Sequence, residues 1–217
     1  MSTVVLSTQF SLVNSWINEL RNVEIQHDRM RFRRNMERIG EIAAFEISKS
    51  LAQKEIEIQT PLDTIRGKEI AVQPVITTIL RAGVPLFQGI LNYFDKADCG
   101  FVAAYRKHDA NDYFSIKQDY LTCPNIDGRP LIVADPMLAT GASLIEAIKD
   151  LLTNGNPTQL HIVAAIASKQ GVETIEKAYP NAKIWVGAID ENLTSKGYIT
   201  PGLGDAGDLS YGEKLQR

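Results

Sequence analysis

Residues 131–143, LIVADPMLATGAS, constrain the chain more than any other stretch. Four apolar residues form a run short enough for a buried strand. An acidic residue and a proline end it, and a Thr-Gly-Ala-Ser run then leads into the helical pattern LIEAIKDLL. A strand, a tight loop and a helix start are predicted in direct succession. The first backbone N–H groups of a helix have no intrahelical partner, and the aligned peptide dipoles leave partial positive charge there, so this turn suits a phosphate. Thr140 and Ser143 can add hydroxyl donors, and Gly141 lets the backbone approach an anion closely. Asp135 requires another explanation, because a carboxylate repels a phosphate. It suits a hydroxyl-bearing part of the ligand or a metal bridging to it, which together imply a sugar phosphate.

The same plan recurs upstream. The extended run from Gly67 to Leu80 leads to Arg81-Ala82-Gly83 and then to the helical segment VPLFQGILNYF, where Val84-Pro85 fits a first helical turn. Further strands are predicted at Cys99–Tyr105, Leu160–Ala167 and Ile184–Ile189, with a helix near Val172–Ala178 and a one- or two-strand excursion over Tyr113–Leu121. Glu55–Thr60 alternates and stops at Pro61, as a strand would. Strands alternating with helices predict an α/β fold: a mainly parallel sheet with helices on both faces. Ligands of such sheets bind at the carboxyl ends of the strands, so Arg81, Arg106 and Asp135 are expected to converge there.

Around this frame the sequence predicts two additions. Residues 1–52 form a helical arm, with FSLVNSWINELRNV as a short surface helix and His27–Leu51 as a long one. In the long helix Phe32, Met36, Ile39, Ala43 and Ile47 make an apolar stripe. Its arginines, Arg29, Arg31, Arg33, Arg34 and Arg38, are interleaved with Glu37 and Glu41 and lack an aromatic platform. They read as a solvated or subunit-contacting face rather than an RNA patch. At the other end, residues 190–217 are glycine-rich with no helical period and read as an ordered functional lid.

The 217 residues, with no long linker, predict one domain. A net charge of −3 gives no general attraction to nucleic acid, and no apolar run is long enough for a bilayer, so a cytoplasmic protein is expected. Cys99 and Cys123 match no metal or disulfide pattern and read as buried thiols. His161 falls in an apolar strand and reads as a satisfied core histidine, His27 as a helix cap, and His108 as either an anion-site or a loop residue. No metal-ligand cluster or activated nucleophile is evident. Gly202 to Gly207 satisfies GxGxxG, but only ten residues follow, too few for a dinucleotide fold. It reads instead as a turn bringing backbone groups against a flat ligand.

These residues together resemble the phosphoribosyltransferases. LIVADPMLATGAS is similar to their loop for phosphoribosyl diphosphate (PRPP), in the form found in uracil phosphoribosyltransferases. Ile79 to Gly83, Ala104-Tyr105-Arg106, Gly197-Tyr198-Ile199 and Pro201 to Gly207 also match, from about Arg33 onward. The resemblance implies transfer of a phosphoribosyl group from PRPP to N1 of uracil, giving UMP and diphosphate. The alternatives are an enzyme for another base or a uracil- or UMP-sensing RNA-binding regulator on the same fold. It also implies PRPP binding by Arg81, Ala82, Gly83, Arg106, Asp205 and the run Asp135, Pro136, Met137, Leu138, Ala139, Thr140, Gly141, Ala142, Ser143. Uracil is assigned to Ile199, Gly204, Asp205 and Ala206 of a C-terminal hood, and catalysis to Asp135, Arg106 and Asp205. Mg²⁺ bound mainly through PRPP and a homo-oligomer, dimer or tetramer, are implied as well. Ala142 stands where the family usually has a second glycine; a helical conformation there would make the β-carbon harmless.

Overall fold

The computed structural model describes residues 3–108 and 114–214, with side chains described at 3–103 and 120–214. Its central sheet runs in the order β1 (Thr3–Val5), β10 (Lys183–Asp190), β9 (Gln159–Ser168), β7 (Pro130–Ala134), β4 (Val75–Leu80), β5 (Asp98–His108), β6 (Phe114–Thr122), with β8 (Met137–Leu138) added to β9 beyond the end of β7. Every pairing is parallel except β5 with β6. The central strands are mostly apolar because both faces are covered, with Thr77 and Thr78 of β4 and His161 of β9 as buried polar side chains that interrupt the pattern. Register aligns Val75 with Leu131, Leu131 with Leu160 and Ile162 with Ile184.

Two apolar cores lie on the two faces. On one, α1 (Leu12–Arg21), α2 (Arg29–Ser48) and α3 (Val84–Tyr93) contribute Ile17, Leu20, Phe32, Met36, Ile39, Leu86 and Ile90. On the other, α4 (Ala142–Leu151) and α5 (Lys169–Ala178) contribute Leu144, Ile148, Val172 and Ile175. All five residues of the predicted α2 stripe are buried. Burying such side chains stabilises by roughly 1.5–3 kcal/mol each, which is why a helix with so charged an outer face is firmly seated.

Several local expectations are corrected. The N-terminal arm does not simply lie on the surface: Val13, Ile17 and Leu20 are buried, and the preceding residues add β1 to the sheet edge. Three residues are too few to show a strand period. His27 is not the helix cap; the Asp28 carboxylate accepts the Arg31 N–H at 3.0 Å. β2 (Gln53–Gln59) pairs with a second strand, β3 (Thr64–Ile70), in a largely exposed hairpin outside the main sheet. The irregular C-terminal segment contains a short ladder, β11 (Asn192–Leu193) with β12 (Ile199–Thr200), and a six-residue helix, α6 (Ala206–Tyr211). Cys99 and Cys123 are free and half-buried rather than fully buried, and burial raises both thiol pKa values.

Other expectations hold. His161 is buried: Nδ1 accepts the Trp185 indole N–H at 3.1 Å and Nε2 meets Gln159 Oε1 at 2.9 Å. Burial, then the nearby Lys183 charge, lowers its pKa to about 4, so it is neutral near pH 7. On the α2 face read as solvated or subunit-contacting, Arg31 and Arg34 are 51% and 45% exposed while Arg31, Arg33 and Arg34 bond within the chain. Arg31 pairs with Glu19 at 2.6 Å, Arg34 with Glu37 at 2.7 Å, and Arg33 donates to the Ser210 carbonyl at 2.8 Å.

Candidate active site

A cleft of about 840 Å³ opens above the carboxyl ends of β4 and β7. Its floor begins where β7 stops. The Asp135 N–H still donates to the Val163 carbonyl at 3.0 Å, and the Pro136 carbonyl accepts from Ala165 and Ile166, both at 3.1 Å, so the chain leaves the strand anchored to β9. Ser168, the N-cap of α5, donates its hydroxyl to the Ala139 carbonyl at 2.6 Å while accepting the Gly171 N–H at 2.8 Å. The loop is thereby fixed from below. At Gly141 the backbone takes φ +82, a left-handed angle that turns it into α4 without a β-carbon penalty. No side chain caps α4. The Ala142 N–H makes only a long bond to Thr140 Oγ1, at 3.4 Å, so an anion can compete for it and for the other first-turn N–H groups, with Ser143 on the same wall.

Ala142 is the first helical residue of α4 and its side chain is exposed. It does not line the cleft. Thus the β-carbon at this position is in ordinary helical geometry, as its place at a helix start implied.

Asp135 keeps an edge on the cleft but is surrounded by protein elsewhere. Desolvation raises its pKa from 3.8 to about 7, with the Met137 N–H bond opposing that shift. Among the described residues no cationic side chain pairs with this partly buried carboxyl, which suits it to a polar or cationic ligand.

The second wall follows β4. Arg81 reaches across the cleft, where Nη2 donates to Asp208 Oδ1 at 2.8 Å and to the Gly212 carbonyl at 2.7 Å. Ala82 also lines the cleft, but Gly83 sits behind it. A β-carbon on Gly83 would lie 2.1 Å from Thr78 Oγ1 and 2.9 Å from the Ala134 carbonyl. This glycine lets α3 start close against β7.

The third wall is the C-terminal segment, and distant residues hold it. Arg21 of α1 forms a two-pronged pair with Asp190, at 2.7 and 2.8 Å, and donates to the Gly202 carbonyl at 3.0 Å. The Gly202 N–H completes the knot on Asp190 at 2.9 Å. Burial acts to raise the Asp190 pKa, but the bonds from Arg21 and Gly202 outweigh it and hold the carboxyl below its usual range. Asp205 caps α6 by accepting the Asp208 N–H at 3.0 Å, and its other oxygen meets Lys214 Nζ at 3.0 Å. Desolvation opposes ionisation of Asp205, yet those two bonds, the Lys214 charge and the Gly207 N–H keep its pKa depressed.

The structure therefore brings together Arg81, Ala82, the stretch from Asp135 to Gly141, Ser143, Ile199, Gly204, Asp205 and Ala206. Gly83 and Ala142 support the cleft from outside it. β5 continues to His108, so Arg106 lies within that strand, opposite Ile116, rather than just past its end; its side chain is outside the described residues, as is that of His108. Sequence reasoning missed Asp208, Lys214 and Tyr198 on the walls and Ser168 beneath the loop. Only the Ser168 cap carried a local signal, a serine directly before a helical pattern. Among the described residues no group of three or more His, Cys, Asp or Glu side chains is placed to hold a metal by itself.

Comparison with known proteins accounts for this arrangement. The family model described as uracil phosphoribosyltransferase matches residues 7–212. The chain belongs to the uracil phosphoribosyltransferase family. A uracil phosphoribosyltransferase from Porphyromonas gingivalis is 48% identical over 99% of this chain and 100% of its own length. One from Thermococcus gammatolerans is 38% identical over 87% of this chain and 85% of its own length. The solved structure of an Aquifex aeolicus protein superposes with a TM-score of 0.86 at 29% identity, covering 99% of this chain and 100% of the other. In this member of the uracil phosphoribosyltransferase family the match begins well before Arg33. The N-terminal arm that holds the hood through Arg21 thus lies inside the family's span.

Proposed function

We propose that the chain catalyses the reaction for which its family is named, transferring the phosphoribosyl group of PRPP to N1 of uracil to give UMP and diphosphate. The observation that carries this reading is one cleft with a helix-start loop on one wall, a partly buried carboxyl on its floor and an arginine and the C-terminal hood on the others. Each part of the substrates meets a matching chemistry. The open N–H groups of α4, with Thr140 and Ser143, receive the 5-phosphate; Asp135 receives the ribose hydroxyls; Arg81 faces the diphosphate; and backbone groups around Ile199, Gly204 and Ala206 read the uracil imide. A buried imide left without its donor and acceptor is rejected strongly, so backbone pairing selects the base.

As the bond from C1 to diphosphate lengthens, positive charge grows on the ribose and negative charge on the leaving group. Ionised Asp135 steadies the sugar, and Arg81, with Arg106, offsets the leaving charge. The hood contributes proximity by holding uracil against C1 while excluding water. Among the described residues no cation pairs with Asp135, so it would suit a Mg²⁺ held mainly by PRPP. When bound, Mg²⁺ would neutralise the diphosphate. A phosphorylated sugar does not cross a bilayer, which favours a cytoplasmic enzyme, and no described helix is long and apolar enough to span one. The exposed hairpin, with Leu62 96% and Ile65 52% accessible, fits a homo-oligomer in which a second subunit covers it. An RNA-binding regulator would need a free basic face, whereas Arg31, Arg33 and Arg34 of α2 are occupied within the chain.

The test is incubation with PRPP, Mg²⁺ and, separately, uracil, hypoxanthine, xanthine and orotate. UMP is expected from uracil alone. Nucleotide from a purine or from orotate, with none from uracil, would overturn the base assignment.

A further inference from the structure

Among the described residues, the cleft walls carry three carboxylates, Asp135, Asp205 and Asp208, but only two cations, Arg81 and Lys214. Both cations are already paired with hood carboxylates, Arg81 with Asp208 at 2.8 Å and Lys214 with Asp205 at 3.0 Å. The two pairs are adjacent. A β-carbon placed on Gly207, between them, would lie 3.2 Å from Asp205 Oδ1 and 3.8 Å from Arg81 Nε. An empty cleft of this charge is poorly matched to a substrate with phosphate at one end and diphosphate at the other. The α4 turn can serve the first, but the second needs cations that are free.

Taking PRPP as the substrate, we infer that Lys214 is a further diphosphate-binding residue beside Arg81 and Arg106, which exchanges its Asp205 partner for the diphosphate as the substrate enters. Lys214 suits the exchange because it is a flexible point charge, half-exposed, at the cleft edge. Asp205 tolerates the loss because Asp208 and Gly207 N–H groups still hold it. Lys214 then joins Arg81 at the diphosphate; Arg81 can contribute without release, because its bonds to Asp208 and the Gly212 carbonyl both use Nη2. The exchange also unmasks Asp205 Oδ2 toward the uracil side only when PRPP is present, which links substrate entry to the geometry of the hood.

The experiment measures calorimetric affinity for two probes, inorganic diphosphate with Mg²⁺ and UMP, in the wild-type protein and in Lys214→Met. UMP contains the ribose phosphate and the base but no diphosphate. Loss of one charge-assisted contact should weaken diphosphate binding about tenfold or more while UMP affinity stays within about twofold. Lys214→Arg should recover most of the diphosphate affinity, and Lys214→Gln should behave as Lys214→Met. Unchanged diphosphate affinity, or an equal loss for UMP, would overturn the inference: the first means no contact, the second that Lys214 merely braces the hood. A wild-type protein that makes no UMP would instead remove the activity on which the inference rests, and the two failures are told apart by that control.

Discussion

The phosphate loop and the hood face each other across one cleft but are built in opposite ways. The loop is nearly self-contained: residues 135–143 are fixed by β9 and by the Ser168 cap that follows it. The hood depends on the rest of the chain. Its bonds come from Arg21 and Gln26 near the N-terminus, Arg33 on α2 and Arg81 after β4. A site for the invariant part of a substrate, a phosphate on a ribose, can be rigid and locally encoded. A wall that must admit uracil and release UMP is better hung on a few long-range polar contacts that can be exchanged one at a time.

The comparison is challenged most severely at Asp135. Asp135→Asn keeps the shape of the loop but removes the charge that steadies the sugar, and turnover should fall by roughly 10²–10³-fold. Stability should move the other way. The carboxyl has a folded pKa of about 7 against 3.8 unfolded, so the unfolded chain releases the proton first and stability falls as pH rises across that window. The penalty is complete above pH 7 and amounts to ~4 kcal/mol at most. Asparagine does not ionise, so the variant's melting temperature should gain on the wild type from pH 5 to pH 7 and level off above that. A constant gap over that range would show that the loop does not bury Asp135 as described.

Arg21→Ala tests the other side. Asp190 is only 7% exposed and would lose its two-pronged partner, at a cost of about 3 kcal/mol. If the hood is hung from α1, KM for uracil should rise severalfold while affinity for ribose 5-phosphate stays the same. Equal loss at both would mean that the two walls are one cooperative unit.

This difference in construction also explains what could be read in the sequence. The loop was legible because strand, turn and helix start are consecutive and each has its own residue signature. The parallel sheet was legible from mostly apolar runs, and α2 from its buried stripe. The hood's place was visible only through family resemblance, since nothing local in Asp190 announces a partner 169 residues away. β1 and α6 are too short for a period to emerge, and α6 is held by the Asp205 cap and by Arg33 and Arg81 rather than by helix propensity. Lys214 gave no signal, because an isolated lysine near a terminus has the pattern of any solvated charge.

The smallest expected effect is the one that best separates loop shape from loop charge. Ala142 occupies the first position of α4, with its β-carbon exposed and outside the cleft, while the left-handed turn that brings the backbone to the phosphate belongs to Gly141. Glycine at position 142 would therefore add no room for the anion. It would only increase the freedom of the unfolded chain and loosen the first helical turn, costing about 0.5–1 kcal/mol. Ala142→Gly should lower the melting temperature slightly and leave KM for PRPP unchanged, or raise it a little as the N–H groups become less well ordered. A clear fall in KM for PRPP would mean that the alanine crowds the phosphate and that the turn relaxes when the anion arrives. In that case the loop would share the adaptability assigned here to the hood alone.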